Sequence, residues 1–159
     1  MILDSRLAIA VAATLNTATG TNNLTNVIDL STNALNAVRD MGNGEPVYLI
    51  LSAQADITSG GTATLAFQLV SDSVAAIQTN GSQVVHAVSR TVTVPASATV
   101  ATGTKAGTMF WIIALPQGVD YKQYLGVQQV VGTAVLTAGA VNCHITADLT
   151  GWRPYSDFT

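Results

Sequence analysis

The chain has 159 residues and a mass of 16.4 kDa, which suits one ordinary domain able to bury about 70% of the surface exposed by its unfolded form. Only 9% of the residues are charged, against roughly 25% in typical soluble proteins, and a single Glu (Glu45), two Lys and four Arg cannot coat long helices exposed to water. A net charge of −3 with scattered cations leaves no basic stripe for a row of phosphates, so no nucleic-acid partner is expected. The one cysteine, Cys143, rules out an intramolecular disulfide framework and reads as a small buried hydrophobe. No membrane partner is expected either: the run Leu7 to Ala13 is short and mostly Ala, and reads as part of an N-terminal arm covering residues 1–23.

Polarity is supplied by Thr, Ser, Asn and Gln, and with Val these residues fit half-buried pleated strands. In chain order, strands are predicted over Leu24 to Leu30, Val47 to Leu51, Leu65 to Leu69, Gln83 to Val94 with an interruption, Met109 to Leu115, Tyr124 to Val131, and from Val141 towards Leu149. The last shows the clearest alternation, with Val141, Cys143, Ile145, Ala147 and Leu149 on one face and Asn142, His144, Thr146 and Asp148 on a wet one. Val47–Leu51 and Met109–Leu115 are nearly continuous apolar runs and read as buried on both faces. Ser31 to Asp40, with a Ser cap and a stop before Gly42, reads as a short helix. Thr93 to Gly107 reads as a mobile loop.

Turn signals fall between these runs at Asn43-Gly44, Ser59-Gly60-Gly61, Asn80-Gly81, Gly103, Pro116-Gln117-Gly118 and Thr137-Ala138-Gly139. Many short strands with frequent turns predict an all-β domain, a jelly roll or β-sandwich of about eight antiparallel strands. The sandwich is placed at residues 24–150, with short arms at 1–23 and 151–159.

Chemistry is sparse. His86 and His144 are the only histidines; His144 follows Cys143 in a strand, so the two side chains point to opposite faces and cannot share a metal. Most of the eight Asp sit beside turns, where Asp bonds its own backbone, and Asp56, Asp72, Asp120 and Asp148 lack the spacing of an EF-hand. Gly103 to Thr108 lacks the Gly-Lys-Ser/Thr order of a phosphate-binding loop. Asn23-Leu24-Thr25 and Asn80-Gly81-Ser82 fit the glycosylation pattern but read as turn chemistry. No catalytic residue, cofactor or metal is assigned, and an enzyme is not expected.

The tail differs in kind. Residues 151–159 hold Trp152, Tyr155 and Phe158, three of the chain's nine aromatics, beside Arg153 and a stiffening Pro154. Aromatic and Arg side chains are the usual anchors of protein interfaces, so Trp152, Arg153, Tyr155 and Phe158 are the candidate partner-binding residues. Exposed strand edges offer a further route to partners by strand addition.

Several segments in order resemble the small jelly-roll cement, or decoration, proteins of tailed-bacteriophage capsids. They are Met1-Ile2-Leu3-Asp4, Thr25-Asn26-Val27-Ile28-Asp29-Leu30, Asp40-Met41-Gly42-Asn43-Gly44-Glu45-Pro46, and Gly60-Gly61-Thr62-Ala63-Thr64-Leu65 before Ser71-Asp72. Leu115-Pro116-Gln117-Gly118 before Tyr124-Leu125, Thr137-Ala138-Gly139 and Arg153-Pro154-Tyr155 continue the likeness, while Ala75 to Thr104 is longer than the pattern and suggests an enlarged loop or hairpin. The resemblance implies a protein on the outer surface of the virion capsid that bridges neighbouring major capsid proteins and stabilises the expanded shell. It also implies a homo-oligomer, dimer favoured over trimer. The competing expectation is a carbohydrate- or receptor-binding jelly roll using Trp152, Tyr155 and Tyr121.

Overall fold

A computed structural model describes residues 5–32, 37–38, 46–96, 104–147 and 149. Among the described residues there is a single-turn 3-10 helix, Ser5–Leu7, no α-helix, and twelve strands. These are β1 (Ala8–Thr14), β2 (Gly20–Asn23), β3 (Ile28–Asp29), β4 (Ser31–Thr32), β5 (Ala37–Val38), β6 (Tyr48–Ser59), β7 (Ala63–Asp72), β8 (Val84–Val88), β9 (Val92–Val94), β10 (Met109–Ala114), β11 (Tyr124–Gly132) and β12 (Leu136–Thr146).

One sheet has the order β1-β12-β6-β10 and the other β2-β11-β7-β8, with β3 added on β11 and β9 on β7. All the pairings between the named strands of both sheets are antiparallel, with one isolated parallel bridge from Ser59 to Ala96. Counted in chain order, the eight strands on these two paths run 1-8-3-6 and 2-7-4-5. That is the double Greek key of a jelly roll, in agreement with the all-β sandwich that the sequence predicts.

Two sheets need two apolar inner faces, and the alternation supplies them. Leu49, Leu51 and Ile57 of β6 and Val141, Cys143 and Ile145 of β12 pack against Leu65, Phe67 and Leu69 of β7 and Leu125, Val127 and Val131 of β11. Ile50 on the opposite face of β6 is also buried, so Leu49–Leu51 is covered on both sides, as the continuous apolar run predicts, while Gln54 and Asp56 farther along that outer face are exposed. β10 is not. It is an edge strand, and Ile112 points outward, exposed to solvent, while Phe110 and Trp111 are buried.

Four expectations change. Ser31 does not cap a helix: its backbone N–H and its hydroxyl both donate to Asp29 Oδ1, at 2.9 and 2.7 Å, and β4 pairs with β5 instead. β1 and β2 draw residues 8–23 into the two sheets, so the sandwich begins earlier than residue 24. At Thr93 and Val94, where the predicted strand and the predicted loop overlapped, the strand holds: β9 extends to Val94 and pairs with Leu65–Ala63 of β7, so no loop begins at Thr93. His144 is buried rather than wet, because it stands between Ala8 of β1 and Ile50 of β6 on neighbouring strands. Its neighbour Asn142 does reach outward, accepting the Ala12 N–H and donating to Gln54.

Candidate interaction surface

The predicted anchors Trp152, Arg153, Tyr155 and Phe158 lie outside the described residues. The site that the described residues build is at the other sheet's edge, around the β7–β8 connection, within the region that sequence comparison of segments marked as enlarged. This connection, residues 73–83, folds back over the outer face of the β2-β11-β7-β8 sheet instead of extending into solvent. Ile77 is buried there, over Gly126, where a Cβ would come within 2.7 Å of Ile77 Cδ1. A larger residue at 126 would therefore push the end of the Ile77 side chain aside.

A polar network pins it. Asp72 accepts backbone N–H bonds from Ser73 at 2.7 Å and Gln78 at 3.0 Å. Gln128, fully buried on β11, donates to Gln78 O and Asn23 Oδ1 and accepts from Gln68, its cross-strand neighbour on β7. Asn23 in turn donates to Ile77 O at 2.7 Å. Each buried amide thus finds partners, which removes the cost of burying it and makes the connection a fixed part of the surface. Asn23 is committed to this network, and Asn80 accepts the Ser82 N–H as a turn residue.

β8 then runs along the open edge. Among the described residues it pairs only with β7, and the register slips between Leu69 and Val70, a bulge that absorbs His86. The bulge turns His86 inward and leaves Val84, Val85 and Val88 exposed by 39%, 44% and 58%, with Val74 on the connection exposed by 45%. Half of the large hydrophobic side chains exposed among the described residues stand on this one edge and the loop leading to it. Ser89 ends the strand: its N–H donates to Phe67 O, its Oγ accepts the Phe67 N–H, and β9 starts beyond it.

The nearest approach to catalytic geometry is Ser71 Oγ, 2.7 Å from His86 Nε2. Ser71 is fully buried, and its Oγ already accepts the Lys122 N–H. The Tyr121 ring packs on His86 with centroids 4.4 Å apart, and its hydroxyl donates to Pro116 O. Burial, with no neighbouring carboxylate contributing, holds His86 below its ordinary pKa and pushes Tyr121 up to about 12. The arrangement is a packed, satisfied cluster with no exposed nucleophile. Cys143 is likewise enclosed, and burial pushes its thiol up, away from the reactive thiolate.

The remaining candidate chemistry is tied into turns. The Ala106 N–H donates to Asp56, Gly107 N–H to Ala53 O and Thr108 N–H to Lys105 O, so the loop that superficially matched a phosphate cradle spends its donors on the protein. Among the described residues no three His, Cys, Asp or Glu side chains gather as a metal site, and no helix is long and apolar enough to cross a membrane. Asp148 lies outside the described residues.

Comparison with known families gives one match, to the Bbp16 family model, over residues 10–145. The chain belongs to the Bbp16 family. Bbp16 is a phage-type family, and its match spans the sandwich from β1 into β12, including the 73–83 connection and the β8 edge. No curated protein matches the chain.

Three ionisable groups, His86 and Asp72 beside this surface and His144 in the other sheet, make the stability of the fold depend on pH. Burial holds His86 and His144 below their ordinary value of 6.5, and the Gln78 N–H, more than any other contact, holds Asp72 below 3.8. In all three cases the unfolded chain takes up the proton first as pH falls, so acid favours unfolding. The histidine contribution is complete above the unfolded value of 6.5 and is lost as pH falls from there towards their folded pKa values. The Asp72 contribution is lost lower, from 3.8 downwards. Calorimetry should therefore show Tm steady from about pH 7 to about pH 8, falling in two stages below that range and falling again in alkali, where the unfolded chain gives up the Cys143 and Tyr121 protons first. A Tm that stays flat to about pH 5 would contradict the histidine assignment.

Proposed function

We propose that this protein is a non-enzymatic capsid cement, or decoration, protein that binds the outer surface of the mature phage shell, bridges neighbouring major capsid proteins and stabilises the expanded state. The observation that carries this reading is membership of a phage-type family over nearly the whole sandwich. It is supported by a rigid jelly roll whose most conspicuous surface feature is an apolar edge. Cement needs no reaction. A ligand that binds only the expanded shell stabilises it by mass action, and a homo-oligomer, dimer before trimer, gains from binding at two points.

A sugar-binding reading draws less support, because the Tyr121 ring is stacked on His86 and its hydroxyl is engaged, so it offers no open platform. The test is co-sedimentation of the purified protein with undecorated, expanded capsids, titrated to saturation. Saturation at a fixed ratio to the major capsid protein is expected; no retention on intact shells would sink the cement role. Deleting residues 151–159 should weaken retention severalfold with little change in Tm, since Trp152, Arg153, Tyr155 and Phe158 are assigned to the partner. A truncated protein that unfolds would assign the tail to its own core instead.

A further inference from the structure

We propose that the β8 edge is a strand-addition site whose occupant is an extended, apolar segment of the shell protein carrying an acidic residue beside Arg90. This inference rests on the cement reading and adds to it the element that docks and the chemistry of what it receives.

The first ground is the edge itself. A strand with one neighbour exposes a row of unpaired backbone groups, and proteins blunt such edges with Lys, Glu or Pro. Val84–Val88 carries none of these; its one blunting feature is the bulge at His86, and its three exposed Val side chains are those that a second strand would cover. The edge is also held ready: β7 pairs with it, Asp72 and Gln128 fix the connection before it, and Ser89 fixes its end. Little ordering entropy remains to be lost on docking.

The second ground is charge. From Ser73 to Val119 the sequence contains no Asp or Glu, although the chain as a whole carries −3. Arg90 is exposed just beyond the end of β8. At the other end Lys122 Nζ donates to Ser82 O at 2.6 Å and stands 3.9 Å from the buried Asp72 carboxylate. A second copy laid antiparallel on this edge would bring cationic ends together with no acidic residue on either strand to answer them. An apolar segment with a carboxylate at the Arg90 end answers both the valines and the charge.

The experiment uses the full chain and expanded, undecorated shells. Val85→Lys combined with Val88→Lys should leave Tm within a few degrees of the parent, because both side chains are exposed, and weaken shell retention at least roughly tenfold. Arg90→Glu should weaken retention severalfold at low salt, the effect shrinking as salt screens it. Hydrogen exchange on the unaltered protein gives an answer independent of any variant: amides within residues 84–88 should slow on shell binding. If the parent protein binds shells but the lysine variant binds equally well, or those amides do not slow, the strand-addition site is wrong and the cement reading survives. If Arg90→Glu has no effect at low salt, the acidic partner is wrong. If the parent does not bind shells, both readings fall together.

Discussion

Phe67→Ala is expected to remove about 3–5 kcal/mol of stability, a large share of the roughly 5–15 kcal/mol that a domain of this kind has. Phe67 is fully buried in the middle of β7, between β11 and β8, and its ring meets Phe110 of the opposite sheet with centroids 5.8 Å apart and planes tilted by 53°. Truncation removes that contact between the sheets and leaves a cavity that neighbours on rigid strands cannot close. The residue also couples core to surface, because its backbone bonds Ser89 in both directions at the end of β8. Phe67→Leu, which keeps most of the volume, should cost only about 1–2 kcal/mol. Denaturant unfolding would measure both, as a shift in midpoint at unchanged slope. A loss below about 1 kcal/mol for the alanine variant would mean that the two sheets are not held together at this point.

The core was readable because a period of two needs only the residues of one strand, and Leu65, Phe67 and Leu69 alternate as cleanly in the structure as in the sequence. What the pattern could not carry was anything decided by a neighbour. Ser31 has the chemistry of a helix cap, and only the position of Asp29 commits it to another bond. His144 has the chemistry of a wet position, and only the flanking strands bury it. Of the run Leu24 to Leu30 only Ile28–Asp29 is strand, the short β3 laid on β11, while Leu24 follows the end of β2 and bonds Val127 O through its N–H, so the length of the strand was decided by the partner.

The candidate surface was legible in part. Exposed strand edges were read as a route to a partner, and Gln83 to Val94 was read as an interrupted strand, as β8 and β9 prove to be. That β8 is an edge is a property of sheet order, which sequence spacing does not contain. The role of Gly126 is similarly hidden: within a strand it looks like a weak residue, and its use appears only when Ile77 is found lying over it. Gln128 carries no sign of burial in the sequence, because the Gln78 carbonyl and the Asn23 and Gln68 amides that satisfy it come from three other places in the chain.

Gly139 gives the second large effect, and it corrects a turn signal. Thr137-Ala138-Gly139 reads as a turn, yet all three residues lie inside β12, where the register against β6 shifts around Ala138 and Ala140. Gly139 has φ +148°, and a Cβ there would stand 3.0 and 3.1 Å from Ile57 Cγ1 and Cγ2 and 3.2 Å from Leu15 Cδ1. Both neighbours are buried, and Leu15 is also held through its N–H to Gly139 O. Gly139→Ala should therefore lose about 2–4 kcal/mol, backbone strain adding to overpacking. Gly118 separates the two contributions: at φ +70° it too needs glycine for its backbone, but nothing stands within 4 Å of the Cβ position. Gly118→Ala should cost only about 1 kcal/mol. The difference between the two midpoints combines the packing of Ile57 and Leu15 against β12 with the rarer backbone at φ +148°. Equal losses would mean that this packing yields freely, and that the bulge in β12 is tolerant where the geometry says it is tight.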